Sequence, residues 1–170
     1  LDTLRQHMVK ASAPGKCILF GEHAVVYGQP ALACSIDQRM IIEIESEKTF
    51  NAWRVDGRTL DAKKHPHIEY IRTRLPPNDG QPMRIRIRGT IPKASGLGSS
   101  AALSVALCGA LQHIRDEPID PLQASVLSHL AEAKAQGGRA SPMDTATSSL
   151  GGFVVLSDAI EESLDYIETR

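Results

Sequence analysis

The chain has 170 residues, with 19 basic and 20 acidic side chains and a net charge of −1. This length predicts one compact domain, and the balanced charge argues against nucleic acid or an anionic membrane as the main partner. Its cysteines, Cys17, Cys34 and Cys108, form no Cys-x-x-Cys pair, which predicts reduced thiols. No stretch approaches the ~20 apolar residues of a membrane span, and residues 1–10 do not resemble a signal peptide. We therefore expect a cytoplasmic protein.

Strand patterns fill the first half of the chain. Short apolar or alternating stretches with a period of two indicate half-buried strands. Such stretches occupy residues 8–13, 16–20, 39–46 and 84–88. Pro14-Gly15 predicts a turn between the first two, because proline presets φ and glycine tolerates positive φ. Asp56-Gly57 predicts a hairpin turn between shorter strands.

Helical patterns dominate the second half, where helices are predicted over 67–75 and from Ser99, Pro121 and Pro142 onward. Asp120 is placed to cap the helix that begins at Pro121. The apolar stripe predicted for that helix consists of Leu122, Val126, Leu127 and Leu130. Residues 153–156 indicate one more strand. Strands followed by helices, without regular βαβ alternation, predict an α+β domain with helices on one face of a mixed sheet.

A glycine-rich turn, Gly96-Leu-Gly-Ser-Ser-Ala-Ala102, leads into the helix at Ser99. Glycines let the backbone approach a ligand, and the first amides of a helix have no internal acceptors and lie at its positive end. Such a terminus favours phosphate. Three small polar residues, Ser95, Ser99 and Ser100, strengthen that interpretation. A glycine turn that only packs the helix against the sheet is the alternative.

Two other nucleotide-binding motifs, the dinucleotide fingerprint and the P-loop, also contain glycine-rich turns. Gly96-x-Gly98-x-x-Ala101 satisfies a dinucleotide fingerprint, with Asp116 near the distance of a ribose-binding acid. That fold needs an apolar strand running into the first glycine, whereas a proline and a lysine precede it here. The chain has no G-x-x-x-x-G-K-[ST] motif, which excludes a P-loop fold.

The first motif, Ala13-Pro-Gly-Lys-Cys-Ile-Leu-Phe-Gly-Glu-His-Ala-Val-Val-Tyr-Gly28, is dense in functional residue types. Taken singly, Lys16 and His23 have ordinary structural explanations. Together, this run resembles the first motif of the GHMP small-molecule kinases, and the glycine-rich turn resembles their second. The continuation after Gly21-Glu-His is similar to the mevalonate kinase branch of that family.

A third stretch, Gln136 to Gly152, is similar to the segment that carries the catalytic aspartate in that branch, in its archaeal form. The resemblance implies the ribosomal protein S5 domain 2-like fold of the family's N-terminal domain. It implies that Asp144 takes the proton from the substrate hydroxyl. Lys16 would keep the Asp144 carboxylate ionised and orient the hydroxyl. Without the resemblance, Asp144 is better explained as a helix cap.

The resemblance also implies ATP and Mg²⁺ as cofactors and mevalonate as the alcohol that is phosphorylated. Glu22 and His23 would contact the substrate, and Ser100 and Glu132 would ligate Mg²⁺. Glu132 is equally compatible with a solvated helix position. The nucleotide would be bound by Pro92, Lys93, Ala94, Ser95, Gly96, Leu97, Gly98, Ser99, Ser100, Ala101 and Ala102.

Other family substrates, namely phosphomevalonate, homoserine or a sugar, stay open, as does an inactive N-terminal fragment. Residues 1–170 are expected to form the nucleotide-binding domain without the C-terminal domain of the family, and therefore to bind ATP weakly alone. A homodimer is a further expectation. A side chain at Gly98 is expected to obstruct the phosphates, and His65-Pro-His67 is expected to be a surface segment. The arginines at 84, 86 and 88 are expected to be solvated.

Overall fold

The computed structural model describes residues 8–22, 27, 29–46, 49, 51–92, 94–138, 140–157 and 167–169. Seven strands and four helices are assigned within these ranges. The strands are β1 (Val9–Phe20), β2 (Ala31–Ser46), β3 (Arg54–Val55), β4 (Arg58–Thr59), β5 (Met83–Gly89), β6 (Phe153–Leu156) and β7 (Ile167–Thr169). The helices are α1 (Pro66–Arg74), α2 (Ser99–Ile114), α3 (Pro121–Ala135) and α4 (Pro142–Leu150).

The long strand β2 is the centre of a seven-stranded sheet. It pairs antiparallel with β1, with β5 through residues 40–46, and with β6 through residues 31–34. The short strand β3 runs parallel to β5, so the sheet is mixed, and β7 extends it beyond β6. This confirms the predicted α+β class with a mixed sheet.

The first strand differs from the prediction. Residues 9–20 form one continuous strand, and the predicted turn at Pro14-Gly15 is wrong. The partner of Pro14 is Arg39 and that of Lys16 is Ser35, so the register shifts at this point as in a β-bulge. The extra residues lie on β2, at 36–38, opposite the Pro-Gly pair. The strand β1 does not end there, because β2 pairs with it on both sides of the irregularity.

The remaining strand predictions are mostly confirmed. The hairpin turn is present between β3 and β4, with φ of 47° at Asp56 and 79° at Gly57. The predicted strand at 39–46 is the second half of β2, whose first half, from Ala31, was missed. That half is held by pairing with β1 and β6 on its two edges.

All four predicted helices are present. Asp120 caps α3 by accepting hydrogen bonds from the amides of Leu122 and Gln123. The helix α2 packs against β1 and β2, whereas α3 packs chiefly against the other three helices. The main core joins the sheet to α2 through side chains that are fully buried, including Ile42, Ile44, Ile85, Leu107 and Leu111.

The predicted apolar stripe of α3 is only partly a core surface: Leu127 packs against the main core, whereas Leu122, Val126 and Leu130 are exposed. Leu122 is 53% exposed and Leu130 is 45% exposed. The buried residues of this helix are instead small or paired: Ala124, Ser125, Ser128, Ala131 and Glu132. Small side chains allow helices to approach closely, and α3 contacts helices on three sides. Among the described residues, no helix has the length and apolar character needed to cross a membrane.

Candidate active site

A lysine–aspartate pair joins the first strand to the last helix. Lys16 Nζ lies 3.0 Å from Asp144 Oδ1. Lys16 is 6% exposed and faces the helices, directly after the register shift between Pro14 and Lys16. Asp144 lies in the first turn of α4, where the Ser141 hydroxyl caps the helix by accepting a hydrogen bond from the Met143 amide.

A small apolar cluster fixes the start of α4. Met143 and Ala146 pack with Ala31 and Ala33 of β2 and with Val154 of β6. Met143 is 1% exposed, so the residue beside Asp144 is anchored in the core. The carboxylate is therefore held at a fixed place against β1.

Opposing effects set the pKa of Asp144. Burial is the largest and raises this pKa, because a carboxylate loses hydration when it is charged. Lys16 lowers it by charge and by hydrogen bonding, whereas the charges of Glu132 and Glu22 raise it further. The net shift is upward from the usual 3.8. Lys16 thus favours the charged form, as expected, but burial outweighs it and leaves Asp144 more basic than a solvated aspartate.

The glycine-rich turn lies directly against Lys16. Gly98 is the N-cap of α2 in a left-handed conformation, with φ of 72°. A Cβ at Gly98 would be 2.9 Å from Lys16 Cγ. The obstruction of phosphate by a side chain at Gly98 stays a prediction; the structure adds that such a side chain would meet Lys16.

The backbone joins the same two segments. The amide of Lys16 donates a hydrogen bond of 3.0 Å to the carbonyl of Leu97. Gly15 makes this approach possible, because a Cβ there would be 2.7 Å from Leu97 O. It would also lie 3.0 Å from Ile91 Cδ1 and 3.1 Å from Ile36 Cδ1. The close approach at Gly15 therefore brings the glycine-rich turn beside Lys16, which contacts Asp144.

The first turn of α2 presents amides toward this site. Ala102 was predicted to bind the nucleotide. Its amide already donates a hydrogen bond of 2.9 Å to the Gly98 carbonyl, so this amide is not available to a ligand. Its side chain, like that of Ala101, is buried in the core. The preceding amides, of Ser99, Ser100 and Ala101, have no acceptor within the helix. They form the positive end of α2.

Four residues of the predicted phosphate loop are exposed, namely Pro92, Ala94, Ser95 and Gly96. The Ser95 hydroxyl donates to the Pro92 carbonyl at 2.8 Å, which closes the turn. Ala94 and Gly96 have positive φ, at 55° and 73°, and a Cβ at Gly96 would meet no atom within 4 Å. Lys93 lies outside the described residues.

The two predicted metal ligands lie together. The Ser100 hydroxyl donates to Glu132 Oε2 at 3.0 Å, and Gln136 Nε2 donates to the same oxygen at 2.8 Å. Glu132 is 4% exposed, so the solvated helix position considered for it is wrong. Among the described residues, no group of three or more histidine, cysteine or acidic side chains has the arrangement of a metal site.

His67 also faces this carboxylate, which corrects the prediction of a surface segment. Its Nε2 lies 3.0 Å from Glu132 Oε1, and its side chain is 19% exposed. Burial alone would raise the pKa of Glu132, but the contacts with His67, Ser100 and Gln136 together lower it below its usual value. Glu132 is therefore held as a carboxylate.

The predicted substrate contacts are only partly described. Glu22 is exposed and follows β1 after Gly21, and its charge acts on Asp144. His23 lies outside the described residues.

The dinucleotide alternative fails on distance. Asp116 lies beyond the far end of α2, whose 16 residues span about 24 Å from the glycine-rich turn.

Two arginines of the row on β5 form ion pairs on the sheet surface. Arg84 pairs with Glu45 of the neighbouring strand, and Arg88 pairs with Glu43.

Sequence reasoning missed two contributors to the site, His67 and Gln136. Gln136 lies four residues after Glu132 on the same helical face, a spacing that predicts contact once Glu132 is chosen. The contact of His67 with Glu132 depends on α1 packing against α3. No local pattern in the sequence indicates that packing.

Known proteins resemble this chain in sequence and in fold. The family model "GHMP kinases N terminal domain" matches residues 63–152. A mevalonate kinase of Methanothermobacter thermautotrophicus is 41% identical over 150 residues, covering 86% of this chain and 49% of that protein. One of Archaeoglobus fulgidus is 39% identical over 144 residues, covering 84% and 50%.

Among solved structures, the Methanococcus jannaschii mevalonate kinase matches with a TM-score of 0.80 at 24% identity, over 98% of this chain and 56% of that chain. This likeness shows the fold. The chain spans about half the length of the curated relatives that it matches. The match over residues 63–152 covers more than half of the 170 residues, and the chain therefore belongs to the GHMP kinases.

Proposed function

We propose that this chain is the nucleotide-binding domain of an ATP-dependent kinase that phosphorylates the hydroxyl of mevalonate. The observation that carries the proposal is the Lys16–Asp144 pair, 3.0 Å apart, held against the glycine-rich N-terminus of α2. A base and an anion site are thereby next to each other, as transfer of a phosphoryl group to an alcohol requires.

The amides that open α2 would bind the phosphates of ATP. Backbone N–H groups at a helix N-terminus suit phosphate by direction and by charge. Since charge at an exposed helix end contributes only about 0.3–1 kcal/mol, several hydrogen bonds must act together. The hydroxyls of Ser99 and Ser100 are placed in the same turn to add to them.

The donor set at Ser100 and Glu132 suits Mg²⁺. The two oxygens are 3.0 Å apart, about the separation of neighbouring ligands that lie roughly 2.0–2.1 Å from an octahedral ion. Glu132 Oε1 is buried and makes no hydrogen bond of normal geometry, with His67 Nε2 as its close polar neighbour at 3.0 Å. When bound, Mg²⁺ would neutralise phosphate charge. Ser100 and Glu132 would hold it, and phosphate oxygens are its usual further ligands.

The chain's own residues would handle the proton. Asp144 accepts it from the substrate hydroxyl, for which its raised pKa makes it a stronger base than a solvated aspartate. Lys16 holds the carboxylate in place through the 3.0 Å contact and offsets the negative charge near the incoming phosphate. Glu22 and His23 are proposed to bind the alcohol beside this pair.

Mevalonate is the proposed alcohol because two relatives, at 41% and 39% identity, are named mevalonate kinases. Phosphomevalonate, homoserine and galactose are the competing substrates within the family. An assay of ATP-dependent product formation with each of the four alcohols separates them. Preferential phosphorylation of mevalonate supports the proposal, and preference for any of the other three contradicts it.

The assay needs two forms of the protein, because the relatives are about twice as long. One is the 170-residue chain, and the other is this chain fused to the C-terminal half of the Methanothermobacter thermautotrophicus relative. We propose that a second domain completes the substrate cleft, so the fusion turns over and the chain alone does so poorly. Equal activity of both forms would contradict this division. The cytoplasmic location and the homodimer stay predictions.

A further inference from the structure

A histidine outside all three sequence motifs lies against the proposed metal ligand. His67 is in the first turn of α1, 29 residues before Gly96, where the glycine-rich turn begins. Its Nε2 and Glu132 Oε1 are 3.0 Å apart. Both groups are largely buried, with 19% and 5% of their side chains exposed.

The two oxygens of Glu132 have different surroundings. Oε2 accepts hydrogen bonds from Ser100 at 3.0 Å and from Gln136 at 2.8 Å. Oε1 has no hydrogen bond of normal geometry, and neither has the facing His67 Nε2. His67 is thus the close polar neighbour that the described residues give to Oε1.

This contact matters because the terminal torsion of a glutamate is soft. The χ3 angle of Glu has broad wells, so its contacts decide which way the carboxylate plane faces. Ser100 and Gln136 fix one oxygen, and a second fixed point is needed to define the plane. His67, anchored by α1 packing on α3, is in position to supply it.

We propose that His67 is a positioning residue, which orients the Glu132 carboxylate toward Ser100. The Ser100 hydroxyl oxygen and the Glu132 oxygen that faces it are thereby preset for a divalent cation. The proposal rests on the proposed function, in which Ser100 and Glu132 hold the cation. His67 acts through Glu132 and is not itself a ligand. Groups that orient a ligating carboxylate typically contribute 10–100-fold to metal affinity, which sets the size of the expected effect at about that range.

The test is the affinity of the 170-residue chain for Mn²⁺ in the presence of ADP, measured by electron paramagnetic resonance of free Mn²⁺. His67→Ala should weaken Mn²⁺ binding about 10–100-fold. His67→Gln retains an N–H donor of similar reach and should recover most of the affinity. His65→Ala is the matched control, since His65 precedes the same helix and its Nδ1 is buried without a hydrogen-bond partner.

Thermal denaturation without metal separates positioning from a general structural role. If His67 only packs α1, His67→Ala and His67→Gln lower the melting temperature and leave Mn²⁺ affinity unchanged, which overturns the proposal. Equal weakening by His65→Ala also overturns it. A wild-type chain that binds ADP but no Mn²⁺ overturns the metal site of the proposed function, and the role of His67 with it.

Discussion

Replacing Gly98 by alanine tests the contact between the glycine-rich turn and Lys16. The residue has φ of 72°, where a Cβ costs about 1–2 kcal/mol. The added Cβ would lie 2.9 Å from Lys16 Cγ, so the lysine must move. Forcing its side chain off a rotamer costs a further ~0.5–1.5 kcal/mol. The matched control is Gly80→Ala, which has φ of 64° and a Cβ position with no atom within 4 Å.

Both variants should lose stability, and Gly98→Ala should lose more. For a domain of this size, 1 kcal/mol shifts the melting temperature by about 2–4 °C. Gly80→Ala is therefore expected to melt about 2–8 °C lower than wild type, and Gly98→Ala lower still by about 1–6 °C. Differential scanning calorimetry measures both shifts.

The more specific readout is the titration of Asp144. Lys16 lowers the pKa of Asp144, so displacing the lysine should raise that pKa further. A carbon-13 NMR titration of the side-chain carboxyls should show the upward shift in Gly98→Ala and none in Gly80→Ala. An unchanged Asp144 titration in Gly98→Ala would refute the reasoning that this glycine positions the lysine.

Two further predictions use the same geometry. Gly15→Ala places a Cβ 2.7 Å from Leu97 O and should destabilise the fold by about 1–3 kcal/mol in a urea titration. Gly109 lies in α2, and apart from the helix's own backbone a Cβ there would meet no atom within 4 Å. Gly109→Ala should therefore be neutral or stabilising, and a loss equal to that of Gly15→Ala would contradict this. Because Asp144 must be ionised to accept a proton and its pKa is raised, the acid limb of the pH–rate profile should lie above 3.8. A limb at or below that value would count against Asp144 as the base.

The sequence predicted elements more reliably than their packing. Caps and periodicity located all four helices, because those signals are local, as the Asp120 cap shows. They failed at Pro14-Gly15, where pairing with a long neighbouring strand outweighed a local turn preference. Periodicity failed again at Leu122, which it predicted to face the core. The face of α3 that packs against the other helices consists largely of small residues, which allow close approach.

For the site as well, local sequence signals indicated the residues better than their packing. The family resemblance pointed to Lys16, Asp144, Ser100 and Glu132, and the fold brings them together in two close pairs. Motifs could not indicate that a glycine's missing side chain makes room for Lys16, since this depends on where β1 meets the turn. Nor could they indicate His67, whose position depends on the packing of two helices.

The central claim is that the carboxylate of Asp144 accepts the proton from the alcohol while phosphate is held at the start of α2. It is tested most directly by the turnover of Asp144→Asn in the fusion protein, with ATP affinity measured alongside by calorimetry. The account predicts a rate lower by about 10²–10⁴, with ATP affinity and melting temperature near those of wild type. Turnover within a few-fold of wild type would contradict it.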